Sequence, residues 1–379
     1  MDFSYTEEQL ALEDTLRRFI AKEYSFEQRR GYMRSADGFS RAAWRTYAEL
    51  GILALPFPDE FGGLNGTALD TMLVMRALGT GLTLEPYLGT VVLCGGILKA
   101  HAYPKQQASL IPAIGDGSLM LALAHYEPQS RYDESTVSAR AVRKGGQWQL
   151  DGHKAVVQGA ASAGQFLVSA RTNGHDGADA LSLFLVAATT PGLSFRYYEC
   201  HDGTRAADIV FDQVLLDDDA LLGREAHALP AIMQGIALAN VAMSAEAAGI
   251  MQALNAATLD YLKTRKQFDV PLASFQALQH RMADMAIAAE QSDSMALLAA
   301  IEMQNPDAGV RLQKASGAKA FVTQKARLVG QEAIQMHGGI GVTDELMVGH
   351  YFKRLAVISA SFGDMDFHLR RYSDIIRAA

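Results

Sequence analysis

From the N-terminus to about residue 100, apolar positions recur at helical spacing. Leu12, Leu16, Phe19 and Ile20 fall on one helical face. Thr6, with Gln9 three residues on, forms a capping box in which each side chain can satisfy a backbone N–H at the helix start. The run Pro56-Phe57-Pro58-Asp59-Glu60-Phe61-Gly62-Gly63 breaks the period and predicts a turn-rich loop. Helical spacing resumes at 68–78 and again at 91–102. After Leu119 the period shortens. Runs of β type at 136–142, 148–150, 155–157, 166–170, 181–186 and 209–214 lie between Gly and Asp turns, and Gly145-Gly146 is placed to turn a hairpin. Strands at this spacing predict a small antiparallel barrel or sandwich of about a hundred residues. Helices return at Pro230, a residue suited to a first helical turn. The stretch to Lys263 predicts one helix about 50 Å long, and a second helix carries Leu278, Met282, Met285 and Ala289 on one face.

The order helices, strands, helices predicts a multidomain α+β chain. Its parts are a helical N-terminal domain at 1–118, a β middle domain at 119–225 and a helical C-terminal bundle at 226–379. Strands and helices do not alternate, which disfavours a parallel α/β sheet. No Gly-x-Gly-x-x-Gly opens a helix after a strand, so a Rossmann nucleotide site is not expected. A length of 379 residues exceeds what one hydrophobic core usually serves and agrees with two or three domains.

Composition narrows the function. With 49% hydrophobic and 20% charged residues the chain is of globular type. Lys and Arg number 34 against 42 Asp and Glu, a net charge of −8 with no basic tract, which argues against nucleic acid as a partner. Asp2, Glu7 and Glu8 stand where a signal peptide would be basic and then apolar. The apolar run at 232–243 is interrupted by Gln234 and Asn240, and no membrane span is expected. Cys94 and Cys200 are too few for a disulfide framework or a CxxC metal site. The expectation is a soluble, cytoplasmic protein without a bound metal.

Two clusters carry candidate chemistry. The first is Thr264-Arg265-Lys266-Gln267-Phe268-Asp269-Val270-Pro271-Leu272, then Phe275-Gln276 and Met282-Ala283-Asp284-Met285. A guanidinium suits a diphosphate, a phenyl ring can stack on a purine, and Gln can bond a heterocycle's edge. On residue types alone the segment reads first as a helix end, a turn and a capped second helix. The second cluster is Gln335-Met336-His337-Gly338-Gly339-Ile340-Gly341. Its glycines allow positive φ and let backbone N–H groups approach a ligand, and they equally suit a helix C-terminus.

With both clusters on one chain, the sequence resembles the acyl-CoA dehydrogenase family over nearly its whole length. Pro56 to Gly63 and Trp148-Gln149-Leu150-Asp151-Gly152-His153-Lys154 add to the likeness. The resemblance implies a helical N-terminal domain, a β-barrel middle domain, a C-terminal four-helix bundle, bound FAD and a dimer or tetramer. It further implies an acyl-CoA substrate, a place in fatty-acid β-oxidation chemistry, and electron-transfer flavoprotein as acceptor. The family's FAD contacts map to Arg265, Phe268 and Gln276 of one subunit, with Gln335, Gly338 and Gly339 reaching the same cofactor from its dimer partner. In the middle domain Glu127, Pro128 and Asp133 match the family pattern, whereas Tyr126 and Tyr132 replace the usual Thr and Ser. Backbone contacts from Ala124, His125 and Tyr126 carry over. Val156 and Gln158 stand where an aromatic residue and a Thr commonly meet the flavin, and Asp364 and Asp366 complete the implied cofactor set.

The sharpest departure concerns the base. The family's usual position, a Glu before Gly-Thr, holds Phe362 in Ser361-Phe362-Gly363-Asp364-Met365-Asp366. The alternative position, a Glu before Arg early in the long helix, holds Ala239 and Asn240. Neither can abstract a proton. Two carboxylates are candidate substitutes: Glu246, about 10 Å further along the Ala239 face, and Asp364. For Glu246 the competing expectation is a buried ion pair at a subunit contact, and for Asp364 it is the N-cap of a terminal helix, with Asp366 adding first-turn charge. Loss of both base positions beside a retained cofactor cluster is similar to the small subunits of heteromeric, pimeloyl-CoA-type acyl-CoA dehydrogenases. Segments 261–268 and 349–354 are especially like that group. The leading expectation is therefore an FAD-dependent polypeptide whose partner supplies the Glu. A self-sufficient homo-oligomer and a flavin-free assembly subunit are the alternatives.

Overall fold

The computed structural model describes residues 5–172, 177 and 180–378. They form two compact units. One gathers the chain up to Gly31, Thr67–Thr83 and the chain from Asn240 onward; the other holds Tyr32–Gly66 and Leu84–Ala239.

In the first unit, α1 (Glu7–Glu23) starts as its sequence predicts: Thr6 Oγ1 accepts from Gln9 N at 3.2 Å and Gln9 Oε1 accepts from Thr6 N at 3.0 Å. Helix α2 (Phe26–Arg34) follows it. Leu16 and Ile20 are buried on the expected face of α1, and Glu13 is buried with them because Arg76 of α4 (Ala68–Gly81) reaches it. The Arg76 guanidinium bridges Glu13 and Asp293, each at 2.8 Å.

The second unit contains α3 (Arg41–Glu49), α5 (Gly95–His101) and α6 (Pro104–Gly115). A short 3-10 turn at Asp59–Phe61 forms the predicted loop, and a π-helical stretch, Leu88–Cys94, leads directly into α5. Eight strands follow: β1 (Leu121–Ala124), β2 (Arg140–Lys144), β3 (Gln147–Gln158), β4 (Gln165–Thr172), β5 (Ser182–Ala187), β6 (Leu193–Glu199), β7 (Arg205–Leu216) and β8 (Leu221–Leu222). Gly145 and Gly146, at φ 62 and 85, turn the β2–β3 hairpin as expected. The runs at 148–150 and 155–157 are one strand, β3, whose pairing with β7 shifts register twice.

The antiparallel expectation needs correction, because β1 and β2 both run parallel to β4 and the sheet is mixed. A parallel pair needs a crossover, and β3 supplies it between β2 and β4. Trp148, Phe166 and Phe184 fill the core of this sheet, with Trp148 edge-on to Phe184 at 5.3 Å.

Helix α7 (Leu229–Thr264) runs 36 residues, the single long helix that was expected. By length and composition it could cross a membrane, the one such helix among the described residues, yet 83% of its apolar window is buried inside the protein. After it come β9 (Lys266–Gln267), β10 (Val270–Pro271), α8 (Gln276–Glu302), α9 (Ala308–His337), α10 (Met347–Ala360) and α11 (Met365–Ala378). Helices α4 and α7 cross at reciprocal glycines. A Cβ on Gly79 would stand 2.3 Å from the Glu246 carbonyl, and one on Gly249 2.1 Å from that of Arg76.

Candidate functional site

The two base positions differ in setting. Ala239 is fully buried in α7, with Asn240 buried beside it. Phe362 is half-buried in the turn between α10 and α11, at a left-handed φ of 52. Glu246 is buried, and its partner is Arg354 of α10: Nε meets Oε1 at 2.5 Å and Nη2 meets Oε2 at 2.8 Å. The expected buried ion pair is present, and the same chain supplies its arginine. Asp364 accepts from Phe367 N at 2.9 Å, the N-cap geometry anticipated for α11, and Asp366 lies exposed in the first turn.

Sequence reasoning missed Lys319. It is buried in α9, and its ammonium donates to Asn240 Oδ1 at 3.1 Å and to the Ser361 carbonyl at 2.6 Å. Burial, with repulsion from Arg354, lowers its pKa to about 7 against the pull of Glu246. A lysine enclosed in the run Ala318-Lys319-Ala320 was the available signal.

The cofactor cluster of the C-terminal segment lies at the surface. Arg265 follows the end of α7, and the tight β9–β10 hairpin turns on Phe268 and Asp269, at φ 53 and 64. Phe268 is 87% exposed and meets Phe275 edge-on at 6.3 Å. Gln276 opens α8, exposed. Gln335, Gly338 and Gly339 are exposed at the C-terminus of α9, where Gly338 takes φ 64. His337 is structural there: it stacks on Tyr261 at 4.5 Å and its Nδ1 donates to the Ala333 carbonyl at 2.8 Å. A cavity of about 540 Å³ runs along α9, α10 and α11, lined by Arg327, Gln331, Phe352 and Asp364 among others.

In the other unit, Ala124 ends β1 and His125 and Tyr126 follow. The His125 ring faces inward, with Nδ1 2.9 Å from Ser169 Oγ, and burial lowers its pKa to about 3, so it is neutral at ordinary pH. Lys154, fully buried, donates to the His125 carbonyl at 3.0 Å, to Glu127 Oε1 at 2.8 Å and to Ser169 Oγ at 3.1 Å, so all three ammonium hydrogens are used. This fixes the path of the chain through 125–127. Val156 is 56% exposed at φ 54, and its N–H donates to Asp208 at 3.1 Å. Gln158 is half-buried.

Arg265 and Phe268 have the chemistry to hold a flavin dinucleotide. The Arg265 guanidinium has no carboxylate partner among the described residues, which leaves it for an anion. A phenyl ring held in water on two left-handed residues is an arrangement that a flat heterocycle would cover favourably.

Family models match along the chain in order: the acyl-CoA dehydrogenase N-terminal domain at residues 6–118, the middle domain at 122–214 and the C-terminal domain at 229–375. The chain belongs to the acyl-CoA dehydrogenase family. As a member it is an oxidoreductase of flavin-dependent type, with the helical, β and helical parts that the family implies. It is similar to the probable acyl-CoA dehydrogenase YngJ of Bacillus subtilis (strain 168), at 28% identity over 91% of each chain. Among solved structures it is similar to the "Tcur3481-Tcur3483 steroid ACAD G363A variant", at 28% identity and a TM-score of 0.87 over 98% of each chain. It is also similar to the "FAD complex of PigA", at 25% identity and a TM-score of 0.90 over 100% of this chain and 99% of that one.

Proposed function

We propose that this acyl-CoA dehydrogenase binds FAD but lacks its own base, and works as one subunit beside a Glu-bearing partner in an α,β-desaturation of an acyl-CoA thioester. The observation that carries the reading is the pair Ala239 and Phe362, neither of which can take up a proton. The substitute carboxylates are both engaged: Glu246 with Arg354, and Asp364 with the first turn of α11. A base must lie within hydrogen-bond reach of the proton it removes, so the proton's acceptor comes from another chain. The name of one similar solved structure joins two components, which supports a heteromeric arrangement.

FAD, when bound, supplies the flavin N5 that accepts the β-hydride. Arg265 would hold the diphosphate, Phe268 would stack on the purine and Gln276 would bond the heterocycle's edge. Gln335, Gly338 and Gly339 would reach the same cofactor from a dimer mate. The backbone of Ala124, His125 and Tyr126, with Val156, Gln158, Asp364 and Asp366, would line the flavin side. We place the domain boundaries at 118/119 and 225/226.

The test is anaerobic flavin bleaching by a panel of acyl-CoA thioesters, followed by stopped flow. The purified chain loaded with FAD should bleach slowly. Co-expression with a Glu-bearing homologue should accelerate bleaching by about 10²-fold or more, the usual scale of general base catalysis. Rapid bleaching by the isolated chain would refute the reading, and comparing Asp364→Asn with Glu246→Gln would then identify the base.

A further inference from the structure

Lys319 is 1% exposed, and neither of its hydrogen-bond partners is a carboxylate. Burying an ammonium this way is costly, and an apolar side chain of similar length would fill the same space without that penalty. What the lysine adds is direction. Its two acceptors are Asn240, the residue after Ala239, and the carbonyl of Ser361, the residue before Phe362. It therefore ties together, from inside the bundle, the two places where a base is missing.

The turn it holds is fixed at further points. Ser361 N closes α10 on the Val357 carbonyl at 3.0 Å, Phe362 takes φ 52 and Gly363 takes φ 124. A Cβ at Gly363 would stand 2.4 Å from His368 Nε2, so the turn rests directly on that ring. His368 Nδ1 meets Ser316 Oγ at 3.2 Å, and Ser316 lies on α9 one turn before Lys319. One helix thus supports the turn twice, at the Ser361 carbonyl and beneath Gly363.

We propose that Lys319 is a positioning residue: its bridge between Asn240 and the Ser361 carbonyl sets the left-handed turn at Phe362, and so keeps the backbone seat of a base in a chain that carries none. The second half rests on the reading above that Phe362 stands at the family's usual base position. A carboxylate placed there inherits an aimed backbone.

Two measurements on the full-length, FAD-loaded protein separate the bridge from the seat. In the first, 4-fluorophenylalanine is incorporated at position 362 and its 19F resonance is recorded. Lys319→Met should shift or split the wild-type line, whereas Lys319→Gln, which keeps an N–H donor, should leave it near its wild-type position. A Lys319→Met line coincident with wild type overturns the bridge. Should Lys319→Met not fold, Asn240→Leu, which removes the α7 half of the bridge, is read the same way. In the second, Phe362→Glu should bleach with acyl-CoA about 10²-fold faster than wild type or better. Adding Lys319→Met should remove at least about ten-fold of that gain at unchanged FAD content. A double variant as fast as Phe362→Glu alone overturns the positioning role, and a Phe362→Glu protein that holds FAD and gains nothing overturns the seat. Rapid bleaching by wild type would instead defeat the partner-subunit reading, and the 19F result would still decide the bridge.

Discussion

Removing one member of a buried ion pair strands the other. Arg354→Met should therefore destabilise the chain by about 3–5 kcal/mol, because the Glu246 carboxylate, with 7% of its side chain exposed, loses both guanidinium contacts. Replacing both residues with apolar ones of similar volume should recover much of that loss, as urea midpoints would record. Lys319 has the opposite consequence. Its pKa is lowered from 10.5 to about 7 in the fold, so between those pH values the unfolded chain binds more protons and stability rises with pH. The penalty is complete below pH 7. Wild-type stability should therefore rise between pH 7 and pH 10.5, and Lys319→Met should lose that rise, as urea midpoints would record; parallel profiles would contradict this. For the cofactor, Arg265→Ala should weaken FAD by about 1.5–3 kcal/mol, the value of a charge-assisted hydrogen bond, measurable by flavin fluorescence. At this scale, what could be read in advance was local. The Thr6 capping box and the Asp364 cap depend on neighbours a few residues away. Lys319 depends on residues 79 and 42 positions distant, and no spacing rule reaches that far.

Elements were legible where one period governs them. Helix α7 reads directly from the sequence because its apolar character is continuous, and the β2–β3 hairpin because two glycines mark its turn. Strand β1 escaped notice: its four residues are all apolar and buried, with no apolar–polar alternation, and its parallel partner β4 lies across an intervening hairpin. Strand β6 escaped for the opposite reason, since most of its residues are exposed or only partly covered and it packs little into the core. The crossing of α4 and α7 was equally invisible, because a glycine within a helix does not say what approaches it. Gly79→Ala puts a methyl group 2.3 Å from the Glu246 carbonyl and should cost about 1–3 kcal/mol through overpacking, seen as a lower thermal midpoint. The same shift would displace Glu246 relative to Arg354, so Gly79→Ala and Arg354→Met should not be additive.

For the whole molecule, the residue types of the candidate cofactor cluster stand in the sequence, while their exposure does not. Arg265, Phe268, Gln276 and Gln335 all stand at the surface of the single chain. If the last of these serves a neighbour's flavin, the smallest flavin-competent unit is a dimer; a monomer by light scattering that retains stoichiometric FAD would contradict that. The Phe268 hairpin has a further, calorimetric consequence. A phenyl ring left 87% exposed is apolar surface awaiting removal from water, and such removal lowers heat capacity. FAD titrations at a series of temperatures should therefore show binding enthalpy growing more exothermic on warming. Phe268→Ala should flatten that slope even where its affinity changes little, because compensation between enthalpy and entropy can conceal in free energy what the heat capacity still records.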